Sequence, residues 1–153
     1  MKKIGRKFLK GTNWALAGLL SFLGFSGCDQ IGADEYGTPH AEYEVKGTVT
    51  DEVGKAISDI QVDLAQRVQE HRYIKLGSPS ITNRAGHYAV SAGTFPGKEL
   101  TLIVTDTDGE KNGSYATDTI AVRFEKKDYY KKGKGWFEGA ARKKVDIKLK
   151  PKK

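Results

Sequence analysis

Apolar and polar residues alternate with a period of two along most of the chain after residue 42. In Tyr43-Glu44-Val45-Lys46-Gly47-Thr48-Val49-Thr50, the side chains of Tyr43, Val45 and Val49 fall on one face and Glu44, Lys46, Thr48 and Thr50 on the other. The same alternation places Ile60, Val62 and Leu64 opposite Gln61 and Asp63, and Leu100, Leu102 and Val104 opposite Thr101, Ile103 and Thr105. It recurs with Ile120, Val122 and Phe124, and again with Val145, Ile147 and Leu149. Shorter segments at residues 80–82 and 87–91 bring the prediction to about seven strands. Turn-forming clusters separate them: Asp51-Glu52-Val53-Gly54, Asn83-Arg84-Ala85-Gly86, Phe95-Pro96-Gly97 and Asp108-Gly109. No amphipathic helix is predicted, and residues 65–72 read as a strand extension or a loop. Strands with one apolar face each must bury those faces against one another. The expected fold is all-β, an antiparallel β-sandwich over residues 42–150.

The first 27 residues follow a different pattern. Lys2, Lys3, Arg6, Lys7 and Lys10 form a positive start, and residues 14–25 (WALAGLLSFLGF) form an apolar run. Twelve helical residues rise about 18 Å, too short for a bilayer core of about 30 Å. A charged start, a short apolar run and the small residues Ser26 and Gly27 describe a secretory signal peptide. Phe25-Ser26-Gly27-Cys28 resembles the lipobox cut by bacterial lipoprotein signal peptidase, although Phe25 stands where leucine is usual. The resemblance implies cleavage between Gly27 and Cys28 and lipidation of Cys28, the chain's one cysteine. Residues 28–41 then read as a tether, because Asp29-Gln30-Ile31-Gly32-Ala33-Asp34-Glu35 is polar, contains glycine and has no hydrophobic period. Acidic residues close behind the cysteine are similar to surface-export signals of Bacteroidetes lipoproteins. The expected location is the outer membrane, held by lipid, facing either the periplasm or the cell surface.

Charge changes the picture in one respect. The formal net charge of the 153 residues is +7, but residues 1–27 carry +5 of it. Residues 28–125 hold 9 basic and 16 acidic residues, and residues 126–153 hold 12 basic and 3 acidic. An acidic body is thus followed by a basic end, including a short basic tail at residues 151–153. Export makes a solvated end the expectation and argues against nucleic acid as a partner. A single cysteine allows no internal disulfide.

Two resemblances follow from short motifs. Val45-Lys46-Gly47-Thr48-Val49-Thr50-Asp51-Glu52-Val53-Gly54-Lys55-Ala56-Ile57, with Ile81-Thr82-Asn83-Arg84-Ala85-Gly86-His87-Tyr88, resembles the carboxypeptidase-regulatory-like (transthyretin-like) β-sandwich. Ala56 stands where that pattern usually has proline. The resemblance implies the fold and says little of function. The mature chain is also similar to the lipoproteins that accompany a radical SAM maturase in Bacteroidetes. That likeness rests on Tyr36-Gly37-Thr38-Pro39, on residues 106–113 and on Gly135-Trp136-Phe137-Glu138-Gly139. It alone implies a maturase as partner. Tyr36, Gly37, Thr38 and Pro39 are then the candidate recognition or modification site, since such enzymes abstract hydrogen from Cα or Cβ of a peptide. The bland alternative is a packed turn that starts the first strand.

Two further groups are candidates. Asp106, Asp108, Glu110 and Asn112 alternate as oxygen ligands do at the start of a calcium loop. Thr117 occupies the place of the bidentate acid, so an ordinary hairpin loop is the alternative reading. Tyr129, Tyr130, Trp136 and Phe137 are interleaved with lysines and would suit a glycan or lipid headgroup if they shared a surface; a basic hairpin with Trp136 on the sandwich rim is the alternative. His40, His71 and His87 lack metal-ligand spacing, and no nucleophile elbow or phosphate loop occurs. The sequence therefore predicts a protein without catalytic activity and without a cofactor, calcium excepted. It is expected to be a lipid-anchored envelope protein, substrate or partner of a radical SAM maturase. The alternative is an extracytoplasmic binding module for glycan, calcium or another envelope protein.

Overall fold

In a computed structural model, residues 37–152 are described. Residues 1–27, Cys28 and Tyr36 lie outside them, with the predicted signal peptide, cleavage site and lipidation site. Nine strands form: β1 (His40–Thr50), β2 (Ile60–Gln69), β3 (Arg72–Ile81), β4 (His87–Thr94), β5 (Glu99–Asp106), β6 (Asp118–Arg123), β7 (Tyr129–Lys134), β8 (Phe137–Lys144) and β9 (Ile147–Lys148). A single 3-10 turn, Lys126–Asp128, precedes β7. Among the described residues no helix is long and apolar enough to cross a membrane.

The predicted all-β sandwich is observed. One sheet runs β4-β1-β8-β7, with β9 also on β1; the other runs β3-β2-β5-β6. Tyr43, Val45, Val49, Tyr88 and Val90 of the first sheet face Val62, Leu64, Leu102, Val104 and Val122 of the second across one core. The pairing is antiparallel except at β1, which pairs parallel with β8 and β9. That parallel pair is a difference from the predicted all-antiparallel arrangement. It arises because β8 turns back from β7 and runs along β1 in the same direction.

The two strands beyond the predicted seven are β7 and β8, and the edge strands β3 and β7 are those whose alternation is weak. β3 was expected only at residues 80–82, and it contains Gly77 and Pro79. Proline lacks the ladder donor and is tolerated at an edge. β7 is lysine-rich and nearly all exposed, the composition that keeps an edge from pairing with another chain. The domain also extends past its predicted limits. β1 starts at His40 and Ala41 is fully buried, so the expected tether boundary at residue 41 is too late. Pro151 bridges Tyr115, and the Lys152 N–H donates to the Ser114 carbonyl (2.7 Å), so these two residues are tied to the β5–β6 connection instead of forming a tail.

The residues of the first resembled motif have structural work. The Thr82 hydroxyl is buried, donates to the Ile57 carbonyl (2.8 Å) and accepts from the Ile60 N–H (3.0 Å). It thereby closes the β1–β2 connection onto the end of β3. The Asn83 side-chain oxygen accepts from the N–H groups of Ala85 and His87, and Gly86 takes a positive φ of 71° in the resulting turn. Replacing Thr82 by Val keeps the shape and leaves a buried N–H and a buried carbonyl unpaired. The expected loss is about 2–4 kcal/mol of unfolding free energy, read from urea denaturation.

Two phenols, Tyr88 buried and Tyr129 half-buried, make the fold sensitive to alkali. Tyr88 donates to the Val145 carbonyl (2.8 Å), and burial, then the Asp146 carboxylate, raises its pKa. Burial, then its hydrogen bond to Tyr43, pushes Tyr129 up to about 12. Both groups hold their protons more tightly in the folded state, so their stabilisation is complete below pH 10 and is lost as pH rises above it. Unfolding free energy measured between pH 8 and 11 should fall at the alkaline end. Tyr129→Phe should flatten that fall.

Candidate functional site

The described part of the Tyr36–Pro39 motif packs against the other end of the chain. Gly37 sits on the indole of Trp136 so closely that a Cβ would lie 2.5 Å from Cδ1 and 2.7 Å from Cγ. The His40 N–H donates to the Trp136 carbonyl (2.9 Å), and the His40 ring lies 5.4 Å from the Phe137 ring. The His40 Nδ1 is 3.2 Å from the Thr38 carbonyl oxygen. Lys131 places its ammonium 5.2 Å from the centre of the Phe137 ring. Two motifs about a hundred residues apart, Gly37-Thr38-Pro39 and Gly135-Trp136-Phe137-Glu138-Gly139, thus meet where β1 and β8 begin side by side.

Glycines shape this junction. A Cβ on Gly133 would lie 2.0 Å from the Phe137 carbonyl oxygen, so the β7–β8 hairpin closes only without one. Gly139 has φ 125° and lies where the β1–β8 register shifts, with Glu138 unpaired against β1. The result presents Thr38 and His40 to solvent beside a half-exposed Trp136. The described part of the segment is thus the packed start of the first strand, with Gly37 and Pro39 half-buried and Thr38 and His40 exposed.

The four aromatic residues predicted as one patch are divided by the fold. Tyr129 turns inward against Tyr43 of the core, Trp136 and Phe137 belong to the junction, and Tyr130 lies on the outer face of the first sheet. Tyr129 and Tyr130 are consecutive on β7, so the alternation of the strand sends them to opposite faces, and Tyr130 stands at the bulge where the β7–β8 register shifts. Tyr130 lines a cleft of about 730 Å3 with Glu42, Glu44, Ser91 and the Gly77-Ser78-Pro79 segment of β3. The Arg142 guanidinium lies 4.6 Å from the Tyr130 ring centre and donates from Nε to Glu44 Oε2 (2.7 Å). Gly77 lets β3 approach β4 as a wall, since a Cβ there would lie 2.5 Å from the Ser91 carbonyl oxygen. An aromatic face, a guanidinium and carboxylates together suit a polar ligand with hydroxyl groups. Glu42 and Glu44 fall on the outward side of the alternation, as ordinary surface acids do. Their outward alternation was visible, but the pairing with Arg142 was not, because β1 and β8 lie far apart in the chain.

The candidate calcium loop is held by its own donors. Asp106 accepts from the N–H groups of Asp108 (3.3 Å) and Tyr115 (2.8 Å), and Asp108 accepts from the Asn112 amide (2.6 Å). That amide also reaches Ser58 and Asp59, tying the loop to the β1–β2 connection, and Glu110 is exposed. Asn112 thus turns its nitrogen, not its oxygen, towards the carboxylates, unlike a ligand oxygen aimed at a cation. Among the described residues no group of three or more His, Cys, Asp or Glu side chains is placed to hold a metal ion.

No protein-family model and no curated protein matches the sequence. Solved structures of similar fold include catechol 1,2-dioxygenase from Pseudomonas arvilla, 14% identical with a TM-score of 0.49, matching 77% of this chain and 55% of that one. A DUF3823 family protein from the Bacteroidetes species Parabacteroides merdae is 18% identical with a TM-score of 0.42, over 75% of this chain and 48% of that one. The major pilin subunit of Bacillus cereus is 12% identical with a TM-score of 0.44, over 73% and 31%. The chain spans less than two thirds of the length of each of these proteins. At these identities the likeness shows the fold alone. The expectation of a chain without catalytic activity is corrected here. Catechol and hydroxyquinol 1,2-dioxygenases stand among the proteins of similar fold, so the architecture gives no ground for excluding an enzyme. No activity is carried over from them.

Proposed function

We propose that the chain is a lipid-anchored protein of the bacterial outer membrane and a substrate or partner of a radical SAM maturase. The segment at residues 36–39 is the part the maturase grips. Anchoring is supported by the sequence: a positive start, a twelve-residue apolar run and the single cysteine directly after Ser26-Gly27. Two or more acyl chains hold a protein stably at a membrane, where one holds it marginally.

The observation that carries the maturase reading is the seating of Gly37 on Trp136. The two ends of the domain that resemble the maturase-associated lipoproteins form one structural unit, so a partner meets both together. The test is co-expression with and without a radical SAM maturase, followed by mass spectrometry of the peptide containing residues 36–39. An altered mass on Tyr36 or Gly37 is expected with the maturase. Identical masses and unchanged stereochemistry at those residues would overturn the modification.

The cleft lined by Tyr130, Glu42 and Glu44, with Arg142 stacked on Tyr130 beside it, favours a second reading, an extracytoplasmic module that binds a glycan or another envelope protein. Under that reading Tyr130→Ala abolishes glycan binding, and the peptide at residues 36–39 keeps its encoded mass.

A further inference from the structure

We infer that the end of the sandwich at which β1 begins is a docking surface for an anionic phospholipid bilayer. The inference rests on the proposed lipid anchor and adds a second, electrostatic contact with the membrane.

Topology collects the relevant tips. β1 and β8 run parallel from this proximal end, so the β7–β8 turn lies there. Ala41 of β1 pairs with Thr94 of β4, so the loop at residues 95–98 leads from this same end to β5. Ala65 of β2 pairs with Thr101 near the start of β5, so the β2–β3 turn projects there as well. Three separate turns, from both sheets, therefore point one way.

Large apolar side chains are exposed at or beside them: Phe95 (61%) and Trp136 (44%) in two of the turns, and Val68 (43%) on β2 just before the third. Apolar tips on separate turns do not pack on one another and contribute nothing to the core. They suit insertion into the boundary between headgroups and acyl chains, where tryptophan and phenylalanine are favoured. Cations flank them. Lys131, Lys132 and Lys134 lie on the exposed β7, and Lys98 follows Phe95; none forms an ion pair among the described residues. The acids Asp51, Asp59, Asp106, Asp108 and Asp118 belong to connections at the opposite, distal end. The proximal end has acids too, but Glu99, Glu125 and Asp128 are paired with Arg123, Lys127 and Lys143, so the lysines of β7 and Lys98 remain as its unpaired cations.

The chain's own length supplies the orientation. Gly37 stands nine positions after Cys28, and a fully extended chain of that length spans at most about 30 Å. An acylated Cys28 therefore holds the proximal end close to the bilayer, within reach of its negative surface potential. Each lysine near such a surface favours the docked state about five-fold, so three together favour it on the order of 100-fold.

Trp136 reports the contact. The chain's two tryptophans are Trp14 and Trp136, and cleavage at Cys28 removes Trp14. The mature acylated protein is reconstituted into vesicles of phosphatidylethanolamine and phosphatidylglycerol with brominated acyl chains, and separately into brominated phosphatidylcholine. Strong quenching of Trp136 emission is expected in the anionic vesicles, relieved by raised salt and by the combined Lys131→Gln, Lys132→Gln and Lys134→Gln substitutions. Lys148→Gln with Lys150→Gln, at the distal end, should leave it unchanged. Equal quenching in both kinds of vesicle, or none in either, would overturn the docking surface. Intact mass of the same preparation reads the anchor separately. If acyl mass is absent the anchor fails, and co-sedimentation of the unacylated mature chain with anionic but not neutral vesicles decides the surface on its own.

Discussion

Replacing Cys28 by Ser is expected to abolish outer-membrane retention. The substitution removes the only thiol of the chain, and with it the only site for thioether lipidation. A single myristoyl chain binds membranes with an association constant on the order of 10^4 M^-1, and a second chain on the same protein multiplies that hold. Loss of both thus removes several orders of magnitude of affinity. The electrostatic contact of the proximal end is far too weak to replace it at raised salt. The measurement is fractionation of inner and outer membranes together with intact mass. The expected variant carries no acyl mass and leaves the outer-membrane fraction. Unchanged retention of Cys28→Ser would remove the lipid anchor from consideration.

The second large effect lies in the core of the fold. Gly47→Ala should destabilise the domain by roughly 3–5 kcal/mol, the combined effect of overpacking and of lost hydrogen bonds. A Cβ on Gly47 would lie 1.8 Å from the Val145 carbonyl oxygen and 3.2 Å from the Tyr88 ring. Both neighbours are fixed. The Val145 N–H donates to the Lys46 carbonyl (2.9 Å), and its carbonyl accepts from Tyr88 (2.8 Å). The segment leading to β9 must lift away to admit a methyl group, and both bonds go with it. Domains are stable by only about 5–15 kcal/mol, so much of the total is at risk. Gly54→Ala is the matched comparison. Gly54 has φ 88° but open space around it, so its cost is that of a strained backbone, about 1 kcal/mol. Urea denaturation that ranks the two variants equally would contradict the close approach at Gly47.

Legibility in the sequence followed burial. Strands with one face in the core, such as Tyr43-Val45-Val49 and Leu100-Leu102-Val104, announce themselves because each inward residue must be apolar and each outward one need not be. The edge strands β3 and β7 are nearly all exposed, so no alternation is imposed on them. Their membership in the sheets is a backbone property. The Gly47, Thr82, Gly86 and Tyr88 positions of the resembled motif were visible as a pattern. Only the fold explains them: Thr82 caps a buried connection, Gly86 makes a left-handed turn, and Gly47 and Tyr88 receive the segment before β9.

The candidate sites were legible in their parts and not in their assembly. Gly37 and Trp136 stood out separately, but no local signal states that one seats on the other. The four aromatics read as one cluster because they are close in sequence, whereas strand alternation parts Tyr129 from Tyr130 and the β7–β8 turn carries Trp136 and Phe137 to the start of β1. Likewise Glu44 and Arg142, 98 positions apart, become neighbours only through the parallel pairing of β1 with β8.

Intact and peptide-level mass spectrometry of the protein purified from its native membranes is the most direct test of an anchored, maturase-modified envelope protein. A mature N-terminus at Cys28 bearing acyl mass, with an altered mass on the peptide containing residues 36–39, is the expected result. A chain that retains residues 1–27, without acyl mass and with an unmodified Tyr36–Pro39 segment, would contradict it.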